Sequence, residues 1–306
     1  MRVTAGVARK RVATLGEARG EDGSKTYSIR IWALGKDLLP DPESGSIRVT
    51  DANHRTPTRV TLSPDGELLV GAYQYSSDLL IVDLHSRSQS WVPTKAAAIR
   101  EIAFSLDGKL LAAGGQLGPP GAGQGNDGIL VWRVSDRGLA PRTTDKMRLT
   151  DMANKVFELG FAEDHEGNAL VAAGGARGQI NVWDAATGKL LHDLLRTDSQ
   201  SVEQLAFWPG QDLLPAADAA GVLTLWDTDT WQRARLMSLF EEPQKVGFLG
   251  FARGGILLAG GEALTAWDLD LSSLQRKMCG ILGVSGGAKA NGQIEDTCGD
   301  GLQEKK

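Results

Sequence analysis

The sequence predicts an all-β fold built from six recurring four-stranded units. Composition gives the first sign: 38 of 306 residues are Gly, and the eight Trp exceed either Tyr or Phe. Such a balance favours short strands joined by turns, and stretches with apolar residues at helical spacing are scarce. The second sign is self-similarity. Trp183, Trp226 and Trp267 stand 43 and 41 residues apart, in or near the period of one four-stranded propeller blade.

Two columns of the repeat define the elements. The first is a strand that ends in an aromatic or apolar residue, usually followed by Asp. It reads YSIRIWAL (27–34), DLLIVDL (78–84), GILVWRV (128–134), GQINVWD (178–184), GVLTLWD (221–227) and EALTAWD (262–268). The second is a strand that runs into a turn: VTLSPDG (60–66), IAFSLDG (102–108), LGFAEDHEG (159–167), LAFWPGQD (205–212) and LGFARGG (249–255). Asp caps its own backbone in such turns and Gly accepts positive φ. Each turn leads into a run of small apolar residues, such as LLAAGGQ or ALVAAGGA. A unit therefore reads strand a, turn, strand b, turn, strand c with Trp-Asp, turn, strand d. One unit cannot bury both of its faces, so neighbours must cover one another.

These residues resemble WD-repeat β-propellers, with Ser-Pro-Asp-Gly after strand a and Trp-Asp closing strand c. The likeness runs from about residue 27 to 280, and the segments 178–195 and 221–238 are nearest the family pattern. The second unit has Val82-Asp83 and the third Trp132-Arg133 where Trp-Asp is expected. The family's Gly-His before strand a does not occur, and His54 stands one residue off its register. The resemblance implies structural roles for Trp32, Asp83, Trp132, Trp183, Asp184, Trp226, Asp227, Trp267 and Asp268. Each Trp should wedge between adjacent blades, and each Asp should accept N–H groups of the following turn.

The ends are irregular. RVTAGVA (2–8) reads as a strand b without a strand a before it, which leaves the first blade incomplete. RKMCGIL reads as the last strand d. Either the tail supplies a missing strand, or the chain is the carboxy-terminal part of a longer product, so six-blade and seven-blade closure both stay open. The propeller is expected over 1–282, with a flexible tail over 283–306. The segment WDLDLSSLQRKMCGIL resembles the last repeat of bacterial multidomain WD-repeat proteins. That implies a signal-transduction module with a fused or neighbouring NTPase, kinase or protease domain.

Three glycine-rich stretches imitate catalytic or nucleotide-binding motifs. GPPGAGQGNDGILVW (118–132) contains G-x-G-x-x-G, but the β-branched run ILVW follows where a helix N-terminus is needed to cradle a phosphate. GEDGSKT (20–26) likewise runs into a strand. GVSGG (283–287) matches a nucleophile elbow, yet all four His precede Ser285, and the triad order requires one after it. Cys279 and Cys298 are too few for a disulfide framework or a four-ligand zinc site. The expectation is no enzyme, no cofactor and no metal. A net charge of −5 argues against nucleic acid, no window reaches membrane-span length, and no signal peptide is visible, so a cytoplasmic protein is expected.

Function is expected on the face that carries the b–c connections. Two of these are long, 9–26 in blade one and 116–127 in blade three, on a scaffold that does not need the length. The candidate protein- or peptide-binding residues are Arg9, Arg11, Tyr73, Tyr75, Gln116, Gln124, Asn126 and Arg177. The alternative is an enzyme or small-molecule binder using the central channel. It requires polar groups on the innermost strands, where Val60, Ile99, Val156, Val202 and Val246 are expected instead.

Overall fold

The computed structural model describes residues 3–6, 11–19, 25–33, 46–49, 56–73, 76–94, 96–117, 127–135, 138–139, 147–149, 155–164, 166–195, 200–207, 213–239, 244–251, 256–261 and 264–268. Six antiparallel sheets follow one another along the chain. The first pairs β1 (Val3–Gly6), β2 (Arg11–Arg19), β3 (Lys25–Ala33) and β4 (Ser46–Val49) in order. The second holds β5 (Pro57–Leu62), β6 (Leu68–Tyr73), β7 (Asp78–Asp83) and β8 (Gln89–Pro93). In the third, β9 (Ala98–Phe104), β10 (Leu110–Gln116) and β11 (Asp127–Ser135) are extended by β12 (Gly138–Leu139) and β13 (Met147–Leu149), both paired with β11.

The fourth sheet comprises β14 (Val156–Glu163), β15 (Ala169–Gly175), β16 (Gln179–Asp184) and β17 (Leu190–Leu195). The fifth comprises β18 (Val202–Leu205), β19 (Leu213–Asp218), β20 (Val222–Asp227) and β21 (Arg233–Ser238). These five sheets belong to one compact unit, residues 1–246. A second unit, 247–306, carries the three-stranded sheet β22 (Phe248–Phe251), β23 (Ile256–Gly260) and β24 (Leu264–Asp268). The expected last strand d and the tail 283–306 lie outside the described residues.

The first sheet corrects the reading of the amino terminus. RVTAGVA supplies strand a, and the charged stretch taken for a long b–c connection contains strand b. Strand β2 pairs with β3 through nine residues, from Arg11↔Ala33 to Arg19↔Lys25. Arg, Glu and Gly at its ends disguise the alternating core R-V-A-T-L. Blade one is therefore four-stranded, and its b–c connection shrinks to 20–24.

In sheets two to five, strands b and c are buried on both faces. Every residue of β6 is buried, as are the central four of β7, β16 and β20. A strand covered on both sides reads as a continuous apolar run rather than an alternating one. The covers are the neighbouring sheets. One apolar cluster joins sheets one and two around Ile29, Ile31, Leu80 and Val82. Others join sheets two and three through Trp132, three and four through Trp183, and four and five through Trp226. Trp132, Trp183 and Trp226 thus each point into the preceding sheet. Trp183 is 0% exposed, and burial on that scale contributes a few kcal/mol.

Close approach explains the small residues of strand b. A Cβ on Gly174 would lie 2.5 Å from Cγ1 of Val202 on the next sheet. Val156 and Val202, two of the apolar residues expected on the innermost strands, are such plugs: a Cβ on Gly114 would lie 2.8 Å from Cγ1 of Val156. Val156, Val202 and Val246 are fully buried, and Val60 and Ile99 nearly so.

The turns follow the repeat. In Ser63-Pro64-Asp65-Gly66, the Ser63 hydroxyl donates to Asp65 Oδ1 at 2.5 Å and Gly66 has φ 72°. Ser105, Asp107 and Gly108 repeat this, with Ser105 Oγ 2.7 Å from Asp107 Oδ1 and Gly108 also at φ 72°. After strand c, Asp83 Oδ1 accepts the N–H groups of His85 and Ser86 at 2.8 and 2.9 Å. Asp184 Oδ1 accepts those of Ala186 and Thr187 at 2.8 and 2.7 Å, and Asp227 Oδ1 those of Asp229 and Thr230 at 3.1 and 2.7 Å. These bonds favour the charged form and hold all three carboxyls below their ordinary range. Asp268 ends β24, opposite Ile256.

Candidate functional site

The b–c face retains one long connection, in blade three, and its root is rigid. The β10–β11 ladder runs without a break from Leu110↔Arg133 to Gln116↔Asp127, so both ends of the segment 118–126 leave from paired strands. Asp127 is buried, at 9% exposure. Its Oδ2 accepts from the Arg100 guanidinium and from the Val156 N–H, the latter at 3.0 Å. One carboxylate therefore ties the loop root to strand a of its own sheet and to strand a of the next. Leu117, 6% exposed, belongs to the core of sheets two and three.

Gly128, the last glycine of the fingerprint, is a residue of β11. A Cβ there would fall 2.5 Å from the Leu149 carbonyl oxygen of β13. Packing of strand d, rather than a phosphate, explains that glycine. Gly123 and Gly125 lie outside the described residues, as do GVSGG and residues 20–24 of GEDGSKT.

The eight candidate binding residues divide sharply. Gln116 is half-buried at the b–c end of β10. Arg177 is exposed in the short b–c turn of sheet four, with left-handed φ 60° and ψ 27°. Tyr73 is no surface residue: it is 3% exposed, its ring lies 5.2 Å from that of Trp91, and it packs with Ile29 and Leu80. A tyrosine at a strand end looks like an interface residue in sequence, but here the ring folds over Gly71, whose missing side chain makes room.

Arg11 is also displaced. It begins strand b, at the a–b end, and its Nη1 donates to the Gly66 carbonyl in the a–b turn of sheet two at 2.6 Å. That is the opposite edge from the b–c connections. Arg9, Tyr75, Gln124 and Asn126 lie outside the described residues.

The innermost strands carry polar groups that the sequence reading missed. Strands β5, β9, β14 and β18 contact one another in succession. Across them run Arg59, Glu101, Glu158 and Glu203 with Gln204. The Arg59 guanidinium bonds Glu101, Gln204 Nε2 donates to Glu158 Oε2 at 3.1 Å, and Lys245 Nζ lies 2.9 Å from Glu203 Oε2. Burial, and then the charge of Glu101, pushes Glu158 well above the ordinary carboxylate range, with Arg59 opposing. Burial also raises Glu101. Each carboxylate already has a protein partner. Among the described residues no group of three or more His, Cys, Asp or Glu is arranged to hold a metal ion. Nor is any helix there long and apolar enough to cross a membrane.

No family model matches the chain. A curated relative, Shk1 kinase-binding protein 15 of Schizosaccharomyces pombe, is 25% identical over 126 residues, 41% of this chain. The match spans about a third of that protein, 35% of its length. Among solved structures, a chain in the crystal structure of the mitotic checkpoint complex matches with a TM-score of 0.65 at 15% identity. That match covers 88% of this chain and 73% of the other. Together with the six antiparallel sheets it shows the all-β WD-repeat propeller fold.

Proposed function

We propose that this chain is a non-catalytic protein–protein interaction scaffold that presents the blade-three segment 118–126 to a protein or peptide partner. The observation that carries the reading is the pinned root: Gln116 and Asp127 close the ladder, and Asp127 is fixed by Arg100 and the Val156 N–H. A long connection on a rigid base is how scaffold folds carry binding residues. Arg177 adds an exposed cation on the same edge. The relative whose printed name is a kinase-binding protein supports a protein partner. The finer reading is a cytoplasmic sensor module of a bacterial signalling protein, working beside an NTPase, kinase or protease domain. It rests on resemblance to bacterial multidomain proteins. The channel alternative requires inner-strand groups with capacity to spare, whereas those of Glu101, Glu158 and Glu203 are engaged with one another's neighbours.

The test removes residues 118–126 and closes the gap with a two-residue turn, keeping Leu117 because it is core, and combines this with Tyr75→Ala. Recovery of a partner from cell extract should fall while the circular dichroism spectrum stays unchanged. Undiminished recovery would refute the reading.

A further inference from the structure

A second surface lies on the opposite edge, where the a–b and c–d turns of sheets three and four meet. A cavity of about 200 Å³ opens there, lined by Leu110, Val131, Trp132, Arg133, Ala169 and Ala185, with Asp107, Lys109 and Ala186 at its rim. Its origin can be read from the register. Strand b pairs with strand c as Leu68↔Asp83, Leu110↔Arg133 and Leu170↔Asp184. The next residue then donates its N–H as Leu84→Glu67, Val134→Lys109 and Ala185→Ala169, each at 2.8 Å. Ala185 and Ala169 therefore stand where sheet two has Leu84 and Glu67. Leu84 is 4% exposed and fills the junction of sheets one and two. Two alanines at the same register leave the corresponding space open between sheets three and four.

The same place breaks the repeat in charge. Arg133 occupies the position at which Asp83, Asp184 and Asp227 each cap a tight turn. Sheet three has no such turn, because β11 continues to Ser135 and pairs with Gly138 of β12. Arg133 thus has no turn to cap; it is exposed, and its guanidinium has no hydrogen bond or ion pair among the described residues. Lys109, 80% exposed, lies 3.0 Å from Asp107 Oδ2. The other oxygen of Asp107 accepts from Ser105 Oγ and the Lys109 N–H. Among the residues that line the cavity, one committed carboxylate thus faces two cations. Leu106, 45% exposed in the same a–b turn, adds apolar surface.

We infer that this cleft docks a segment of a partner protein that carries an aliphatic side chain next to a carboxylate. The cavity is smaller than the roughly 300–1,000 Å³ of sites for drug-sized ligands, and its volume suits one anchoring side chain. Leu110, Val131, Ala169 and Ala185 take the anchor. Arg133, with Lys109 beside it, takes the carboxylate, for which a guanidinium offers a two-pronged bond. The site is independent of the blade-three loop, so either can fail without the other.

The probes are acetyl-Leu-Asp-amide and its neutral counterpart acetyl-Leu-Asn-amide, titrated into the full chain to about 10 mM, as suits a millimolar Kd. Binding is followed by NMR of the indole N–H signals and by calorimetry. The acidic probe should bind saturably, and the neutral one about tenfold more weakly, as a lost charge-assisted bond implies. Arg133→Gln should reduce binding by a similar factor. Ala185→Leu, which places in sheet four the side chain that sheet two already carries, should abolish it without lowering Tm. Deletion of 118–126 should leave it unchanged. Absence of saturable binding by the intact protein would overturn the inference. So would equal binding of the two probes, or binding that survives Arg133→Gln, an exposed substitution that leaves the core intact.

Discussion

Replacing Ala173 with serine should make this protein more stable, although the change buries a hydroxyl in its core. In sheet one the Trp32 indole donates to Thr14 Oγ1 at 3.0 Å. Thr14 stands two residues beyond Val12, the residue opposite Trp32. The same step from the residues opposite Trp183, Trp226 and Trp267 arrives at Ala173, Ala216 and Ala259. The indole nitrogens of those three tryptophans are buried without an acceptor among the described residues. A buried donor left unpaired costs about 1–3 kcal/mol, and a hydrogen bond that satisfies it returns about 1 kcal/mol net. Serine adds one atom beside Trp183, which is fully buried. The expected gain is about 1 kcal/mol, or roughly 2–4 °C in Tm for a domain of this size.

Urea unfolding with an unchanged m-value measures the gain. The double-mutant cycle assigns it: in a Trp183→Phe background, Ala173→Ser should destabilise, because the hydroxyl then has no N–H to accept. If Ala173→Ser were neutral or destabilising beside the intact Trp183, the register argument would be wrong. The same would follow from a gain that persisted with Phe at 183.

Three further outcomes follow from the packing and the charges. Asp184→Ala should cost about 1–2 kcal/mol, since it strips two N–H bonds from one turn. Because the folded state holds that carboxyl below its ordinary range, its contribution is present at neutral pH and lost on acidification, so wild type and variant should converge in acid denaturation curves. Glu158 behaves with the opposite sign. Its raised titration makes stability decline as pH climbs from the ordinary glutamate range through the folded value, so Glu158→Gln should flatten that slope in thermal melts from pH 4 to 9. Gly174→Ala should destabilise by about 2 kcal/mol or more, because its Cβ meets Val202 at 2.5 Å, and a Val202→Ala second change should recover part of the loss in the same urea assay.

The sequence displays this fold most clearly where one residue type recurs in one role. The Trp column and its following Asp found sheets two to five and the inner part of sheet six, because wedging and turn-capping each demand a particular side chain. In sheet one strand c was legible at Trp32, but strand b stayed hidden because Arg11, Glu17 and Arg19 end an alternating strand with charges that resemble a loop. Tyr73 misled because burial depends on Gly71 and Trp91, which sequence distance does not connect. The inner-strand ladder was invisible for a similar reason. Glu101, Glu158 and Glu203 are scattered along the chain and meet only when neighbouring sheets set their first strands side by side. The cleft at Arg133 is harder still to see. Ala169 and Ala185 are unremarkable in sequence, and they register as missing volume only once the pairing equates them with Glu67 and Leu84.

The central claim, that a partner docks on the blade-three b–c segment, is tested most directly by photo-crosslinking. A photoreactive amino acid placed at Gln124 or Asn126, in the full chain and in its native host, should give a discrete adduct on irradiation, identified by mass spectrometry. The same group at Glu203, on the inner strands, should give none. Adducts that formed at Glu203 and not at Gln124 or Asn126 would contradict the account and move the binding site to the inner strands.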